Sequence, residues 1–224
     1  MNDHPAPEFP LKEFHSYEPK LGHGLRHDPL NSIVAPRPIG WISSLDKEGR
    51  RNLAPYSFFN LFSYKPPIIG FCSNGWKDSP RNIAETGEFV WNLATRPLAE
   101  RMNLTSAAVP HEVDEFEIAG LAAAPSLLVK PPRVAASPVA FECKLTQQVR
   151  LKNAAGEEVD AWITFGEAVC IHIAKSMLED GVYNTVLAQP IARGGGPADY
   201  FTIGEEQRFR MLRPDAAAVL AKKQ

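Results

Sequence analysis

The sequence has few of the features that mark membrane, nucleic-acid-binding or secreted proteins. Its 224 residues carry 24 Lys and Arg against 26 Asp and Glu, so no basic excess favours nucleic acid or an anionic membrane surface. No run approaches the ~18 apolar residues that a membrane-spanning helix needs. The start, MNDHPAPEFP, lacks the basic and then apolar pattern of a secretory signal. We therefore expect a cytoplasmic protein that binds neither membrane nor nucleic acid.

Cysteine is scarce, and recognisable catalytic sets are missing. Cys72, Cys143 and Cys170 lie far apart in apolar, strand-like segments, so we expect buried free thiols. Histidines cluster in the first 27 residues without cysteine or carboxylate partners, so no metal site is predicted. No Ser-His-Asp set, paired-carboxylate motif or Cys-x-x-Cys pair stands out. If the protein is an enzyme, a bound cofactor is expected to carry its chemistry.

What is present is a series of short β-like segments. Strand patterns occupy residues 33–45 (interrupted at its start by Pro36 and Pro38), 52–60 (bent at Pro55), 67–72, 88–94, 137–151 and 161–173. The chain has 20 prolines, which argue against a long-helix bundle. About six strands with short helices between them predict a mainly β protein, an antiparallel barrel with peripheral α-helices. We expect one domain over 31–205, an N-terminal extension over 1–30, and a C-terminal tail or helix over 206–224.

A group of anion-binding residues stands where a helix is expected to begin. Ser79 is predicted to cap a helix over 80–86, which Gly87 ends. Free N–H groups at such a helix start favour a phosphate. The side chains that add to this candidate site are those of Asn74, Lys77, Ser79, Arg81 and Asn82. The alternative is a capped surface helix whose charges face water.

A second group suits a flat ligand that has a polar edge. Its members lie on neighbouring predicted strands and are Ser43, Ser44, Pro55, Tyr56, Ser57 and Phe58. A bend in a strand pair exposes backbone donors and acceptors beside apolar side chains, as such a ligand requires. The alternative is that these serines and aromatics are ordinary core and edge residues.

Two further features each have two interpretations, and a third has one. The glycines of IARGGGPADY (191–200) allow close backbone approach to a ligand, or form a flexible turn with Arg193 in an ion pair. His111 faces a substrate pocket or lies on the solvated surface. His172 alternates with strand residues and is interpreted as a structural histidine.

Together, seven segments resemble the flavin reductase-like family over about residues 27–200. They are APRPIGWISS (35–44), NLAPYSFFN (52–60), KDSPRN (77–82), GEFVWNLA (87–94), VDEFEIAGL (113–121), VKPPRVAASPVAFEC (129–143) and IARGGGPADY (191–200). The resemblance implies an FMN-binding split β-barrel that forms a homodimer, with FMN near the subunit interface. The apolar residues within 58–62 independently favour a dimer.

The resemblance also implies roles for the candidate residues. Ser43 and Ser44 would lie by the flavin ring or ribityl chain, and residues 55–58 would frame the isoalloxazine. Lys77, Ser79, Arg81 and Asn82 would hold the phosphate. Arg193 and Gly195 fall on the family's Arg-x-Gly-Gly motif and would close the site, from the same subunit or the other one.

The implied activity is flavin reduction by NADH or NADPH, with hydride passing to the flavin. A monooxygenase is the implied partner. Two alternatives stay open: an FMN-binding electron carrier without nicotinamide oxidation of its own, and a non-enzymatic barrel with a vestigial phosphate site.

Overall fold

The structure, a computed structural model, describes residues 10, 13–216 and 220. The helices are α1 Leu30–Ile33, α2 Asp78–Thr86, α3 Ala99–Leu104, α4 Glu115–Ile118 and α5 Thr185–Ala188. The strands are β1 Arg37–Pro38, β2 Gly40–Leu45, β3 Arg51–Tyr56, β4 Phe59–Tyr64, β5 Pro67–Asn74, β6 Glu88–Asn92, β7 Ala123–Ala124, β8 Arg133–Val134, β9 Val139–Lys152, β10 Glu158–Ile173, β11 Leu178–Glu179, β12 Val182–Tyr183, β13 Ile191–Gly195 and β14 Asp199–Thr202.

Seven antiparallel strands form the main sheet, in the order β3-β2-β6-β9-β10-β5-β4. The sheet curls because its two ends share one apolar interior: the ring centroids of Tyr56 on β3 and Phe71 on β5 lie 4.5 Å apart. Phe59 on β4 stacks on Trp91 of β6 at 5.4 Å between centroids. The result is the predicted mainly β split barrel with few, short peripheral helices.

Two apolar clusters lie on opposite faces of this sheet. The barrel interior contains Ile42, Phe71 and Phe89, and it includes Ile83 from α2, which therefore packs onto the barrel. The second cluster joins Trp41 and Leu53 to residues of α3 and α4. Because α2 and α4 pack on opposite faces next to β3, they border the same edge of the sheet.

Two strand predictions were wrong in their bounds. Residues 33–45 divide between α1, β1 and β2, because Pro36 and Pro38 lack the backbone donors that a continuous ladder needs. The predicted strand 52–60 divides into β3 and β4, and the bend falls at 57–58 instead of at Pro55. Pro55 stays inside β3 because β3 is an edge strand, where a missing N–H costs no ladder bond.

Other predictions agree with the structure wholly or in part. Gly87 ends α2 in the left-handed conformation, at φ +75°. Cys72, Cys143 and Cys170 are free thiols; Cys143 is buried and the other two are partly buried. Among the described residues, no helix is long and apolar enough to cross a membrane. Of the predicted terminal segments, residues 1–9, 11–12, 217–219 and 221–224 lie outside the described residues.

Candidate active site

The free edge of β3 forms one side of a cleft. The Leu53 N–H points away from β2 and donates to Glu115 Oε2 at 3.0 Å. Backbone groups of an edge strand alternate in direction, so Pro55 presents its carbonyl oxygen on this same edge. The edge therefore offers backbone acceptors beside the apolar ring of Pro55 and the side chain of Tyr56.

The start of α2 forms the opposite side. The helix begins at Asp78, and Lys77 occupies its N-cap position without a capping side-chain bond. The prediction that Ser79 caps the helix is therefore wrong. Ser79 is the second helical residue, it is buried, and its Oγ accepts a hydrogen bond from Asn52 Nδ2 at 2.8 Å. A link from β3 thus holds the helix start against the sheet edge.

Between these two sides lies a cleft of about 350 Å³. This volume falls within the range of about 300–1,000 Å³ that is common for small-molecule sites. The loop 105–109 after α3 closes a third side. The predicted site residues that line the cleft are Pro55, Tyr56, Lys77, Ser79 and Arg81; Asn52, Trp76, Asp78 and Glu115 line it too.

A buried amide and hydroxyl network supports the cleft from behind. Asn82 Nδ2 donates to Ser44 Oγ at 3.4 Å, and Asn52 Nδ2 lies 3.5 Å from the same oxygen. Asn82 Oδ1 and Ser43 Oγ are buried without a hydrogen-bond partner among the described residues. Ser44 and Asn82 thus act on the cleft through Asn52, whereas Ser43 faces the opposite side of β2.

Charged groups connect the helix start to the turn between β2 and β3. Arg81 pairs with Asp78, and His111 Nδ1 lies 2.9 Å from Asp78 Oδ1. His111 Nε2 lies 3.1 Å from Asp46 Oδ2. Burial by itself would raise the pKa of Asp46, but hydrogen bonds and charge from Arg50, with a hydrogen bond from His111, hold it below 3.8. His111 therefore has carboxylate neighbours on both ring nitrogens.

Two titratable groups in the cleft are shifted toward their neutral forms. Burial raises the pKa of the Tyr56 phenol to about 12, although Ser79 and Ser73 offset part of this shift. Burial also raises the pKa of Glu115, and the nearby charges of Asp78 and Asp114 add to that effect. The inner part of the cleft therefore disfavours negative charge, whereas Lys77 and Arg81 make its outer part cationic.

The remaining predicted site residues do not line the cleft. Asn74 is exposed at the end of β5, and Ser57 and Phe58 occupy the bend after β3. Arg193 donates to the carbonyl oxygens of Asp199, Gly196 and Pro197, each at 3.0 Å. The ion pair considered for Arg193 is therefore replaced by carbonyl contacts within the described part of the chain.

Gly195 is required by packing against α1. Its φ is +103°, and a Cβ there would lie 2.5 Å from Ser32 Cα. Gly194 leaves room for Phe201, whose ring is 2.5 Å from the place of a Cβ. These glycines let β13 pack closely against α1 and β14, and within one chain they stand apart from the start of α2.

His172 is a structural residue, as its strand position indicates. Its Nε2 lies 2.6 Å from Oε1 of the buried Glu142. Glu142 also accepts backbone N–H groups from residues 127, 128 and 129. Cys170 Sγ is 3.6 Å from the same imidazole nitrogen. These hydrogen bonds engage both carboxylate oxygens of Glu142. The side chains of Glu142, Cys170 and His172 therefore form a hydrogen-bonded support for the loop at residues 127–129.

The barrel and its edge cleft define the class of split-barrel flavoproteins. The chain belongs to the flavin reductase-like family: the model described as "Flavin reductase like domain" matches residues 33–188. An uncharacterised protein of Aquifex aeolicus is 37% identical over 179 residues, which cover 77% of this chain and 88% of that protein.

Two solved structures are similar over most of their length. Nitrilotriacetate monooxygenase component B from Bacillus cereus has 27% identity and a TM-score of 0.77, covering 93% of this chain and 100% of that chain. The 2-nitrobenzoate 2-nitroreductase of Pseudomonas fluorescens has 31% identity and a TM-score of 0.72, covering 84% and 89%. The family and these structures support flavin-dependent oxidoreductase chemistry in general terms.

Sequence reasoning missed several residues of the cleft. Asn52 stands in the NLAPYSFFN segment, and Glu115 stands in VDEFEIAGL, so both belong to segments that carry the family resemblance. Asp78 stands in KDSPRN, which carries the resemblance too, but an acidic residue in the first turn of a helix is ordinary and does not by itself indicate a site. Nothing local indicates that Asp78 and His111 meet beside Arg81.

Proposed function

We propose that the protein binds FMN in this cleft and catalyses flavin reduction by NADH or NADPH. The observation that carries the proposal is a cleft with a cationic helix start at one end and a strand edge with apolar and aromatic side chains at the other. This division matches the two halves of FMN, a phosphate ester and a flat ring with a polar edge.

The residues present fit the phosphate end. Lys77 and Arg81 supply positive charge, and the backbone N–H groups of Asp78 and Ser79 precede the first intrahelical bond, which Arg81 N–H makes to Lys77. Helix starts with free N–H groups bind phosphate groups, and arginine favours them through paired donors. Asn52 keeps Ser79 in place, so the anion-binding groups are held before a ligand arrives.

The residues at the β3 edge fit the ring. Pro55 and Tyr56 would form an apolar wall, and the carbonyl oxygens of the free β3 edge would supply acceptors for the N–H of a flavin pyrimidine ring. Ser57 and Phe58, at the bend, are proposed to extend this wall. Ser43, Ser44 and Asn82 are proposed to act indirectly by supporting the sheet, and Asn74 by bordering the phosphate end.

Bound FMN would supply the hydride-accepting centre of the reaction. The chain would orient the two reactants and exclude water by means of the loop 105–109, and such positioning accounts for much of catalysis between two bound rings. The raised pKa values of Glu115 and Tyr56 mean that the inner cleft disfavours negative charge. His111 is proposed to act on the phosphate end through Asp78 instead of touching a nicotinamide.

We further propose a cytoplasmic homodimer that supplies reduced flavin to a monooxygenase. The B. cereus relative named as a monooxygenase component supports such a partner. Phe58, Leu61 and Phe62 are 42%, 49% and 58% exposed, which supports a subunit contact along β4. We also propose the domain boundaries at residues 31 and 205, because the strands of the barrel all lie between them.

Anaerobic mixing tests the activity. Purified protein loaded with FMN is mixed with NADH or NADPH, and the flavin absorbance is followed. We expect one nucleotide to bleach it in a reaction that saturates with nucleotide concentration. Dithionite is the control for reducible bound flavin. If dithionite bleaches the flavin and neither nucleotide does, the protein is an electron carrier and the reductase proposal fails.

A further inference from the structure

A second cavity lies beside the cleft and is larger, with a volume of about 780 Å³. Its walls come from α3 with the turn before it, and from β13 and β14. Ser106, in the loop after α3, lines both this cavity and the cleft. We call this cavity the α3 groove. Its position allows one extended molecule to occupy the groove and to reach the cleft past Ser106.

Arg96 contributes a cation to the α3 groove. The backbone N–H of Arg96 donates to Gln189 O at 2.9 Å, and the preceding residue, Thr95, is buried, so the backbone at Arg96 is held in place. Its guanidinium makes no hydrogen bond or ion pair with any residue that the structure describes. The Arg193 guanidinium is instead engaged by three carbonyl oxygens. The charged side chains that line the groove are those of Arg96, Arg193 and Glu100, so their net charge is positive.

Aromatic side chains form the opposite wall. Tyr200 lies under the Arg193 guanidinium, 5.0 Å from the ring centroid, so its orientation is held by that contact. Phe201 is 56% exposed, and it also lines the groove. Exposed aromatic faces beside an arginine that has no partner in the described part of the chain suit a ligand with a flat base and an anionic group, because rings stack on bases and arginine pairs with phosphate.

We propose that the α3 groove binds the adenosine diphosphate portion of the nicotinamide dinucleotide, with Arg96 on the pyrophosphate and the aromatic wall on adenine. The nicotinamide would then pass Ser106 and enter the cleft. This inference rests on the proposed function, since it assumes a nicotinamide donor. It assigns to β13 and β14 a role in binding the second substrate.

Binding of ADP-ribose, which carries no nicotinamide, tests the groove without catalysis. Calorimetric titration uses the FMN-loaded wild type, Arg96→Gln, Arg96→Lys and the matched control Arg101→Gln. Arg101 is exposed on α3, donates to Gly120 O and does not line the groove. We expect Arg96→Gln to weaken ADP-ribose by about tenfold, as loss of a charge-assisted hydrogen bond predicts. Arg96→Lys should restore part of this loss, and Arg101→Gln should bind like the wild type.

Kinetics give a second, independent readout. Arg96→Gln should raise KM for the nucleotide by a similar factor and leave kcat unchanged, because the contact is the same in ground and transition states. FMN affinity should not change, which also shows that the variant is folded. The proposal is overturned if wild type does not bind ADP-ribose, or if Arg96→Gln and Arg101→Gln bind it equally.

The two proposals fail in different ways. Arg96-dependent binding of ADP-ribose without nucleotide oxidation would keep the groove assignment and refute the reductase activity. If the protein oxidised the nucleotide with a KM that does not depend on Arg96, the reductase activity would be kept and the groove assignment would be refuted.

Discussion

The pair formed by Arg81 and Asp78 leads to two predictions of opposite sign. Arg81 lines the cleft at the proposed phosphate end, yet its guanidinium pairs with the Asp78 carboxylate of the same helix turn. A bound phosphate has to compete with this carboxylate. Arg81→Ala should therefore weaken FMN binding, whereas Asp78→Asn should strengthen it by freeing Arg81 and removing a like charge.

The magnitudes follow from exposure. The side chains of Arg81 and Asp78 are 36% and 28% exposed, so solvent screens both interactions. A hydrogen bond to a charged group contributes about 1.5–3 kcal/mol, and screening places Arg81 at the lower end, about tenfold in Kd. A surface ion pair contributes about 0.2–1 kcal/mol, so Asp78→Asn should tighten FMN by up to about fivefold.

Fluorescence titration of the flavin-free protein with FMN and with riboflavin measures both effects. Riboflavin lacks the phosphate, so its affinity should be the same in the wild type and in both variants. Arg101→Ala is the control for loss of an exposed arginine. In the double variant, Asp78→Asn should have a smaller effect than alone, because its benefit depends on Arg81.

Two results would refute this reasoning. If Arg81→Ala lowered the affinities for FMN and riboflavin equally, Arg81 would contact the flavin ring or support the folded structure instead of binding the phosphate. Weaker FMN binding in Asp78→Asn would mean that Asp78 orients the phosphate groups instead of competing with them.

Three further predictions concern stability and assembly. Burial raises the pKa of Glu115 above 4.5, so the contribution of Glu115 to the free energy of unfolding is present at low pH and is lost as pH rises through the pKa of the folded state. Denaturant titrations should therefore show that the free energy of unfolding falls more with rising pH in the wild type than in Glu115→Gln. An equal dependence on pH in the two proteins would contradict this. Gly166→Ala should cost about 1–3 kcal/mol in urea unfolding, since a Cβ there would lie 2.3 Å from the buried Phe89 ring; an unchanged midpoint would show that the ring moves freely. Phe62→Ser should weaken the proposed dimer in sedimentation experiments at micromolar concentration, and a wild type that sediments as a monomer with FMN bound would refute the dimer.

Local patterns were sufficient to predict much of the barrel. Alternation of apolar side chains located the strand pair that became β9 and β10, and Gly156 marked their turn, where it adopts φ +84°. Gly87 correctly marked the end of α2. The start of α2 was placed wrongly because Lys77 and Ser79 are both near the boundary, and only backbone geometry separates an N-cap from a first-turn residue.

The sequence by itself determined the segments of the sheet, the helix with its cationic start, and the family resemblance, because each depends on residues that are close along the chain. Only the tertiary structure decided which distant residues meet. Asn52 reaches Ser79 across 27 positions, Glu115 reaches the Leu53 N–H across 62, and His111 reaches Asp46 across 65. The register and curl of the sheet set those contacts, and no short-range periodicity encodes them. Arg193 shows the same limit: within one chain it lines the neighbouring groove, and its place at the flavin site, from the same subunit or the other one, stays a prediction.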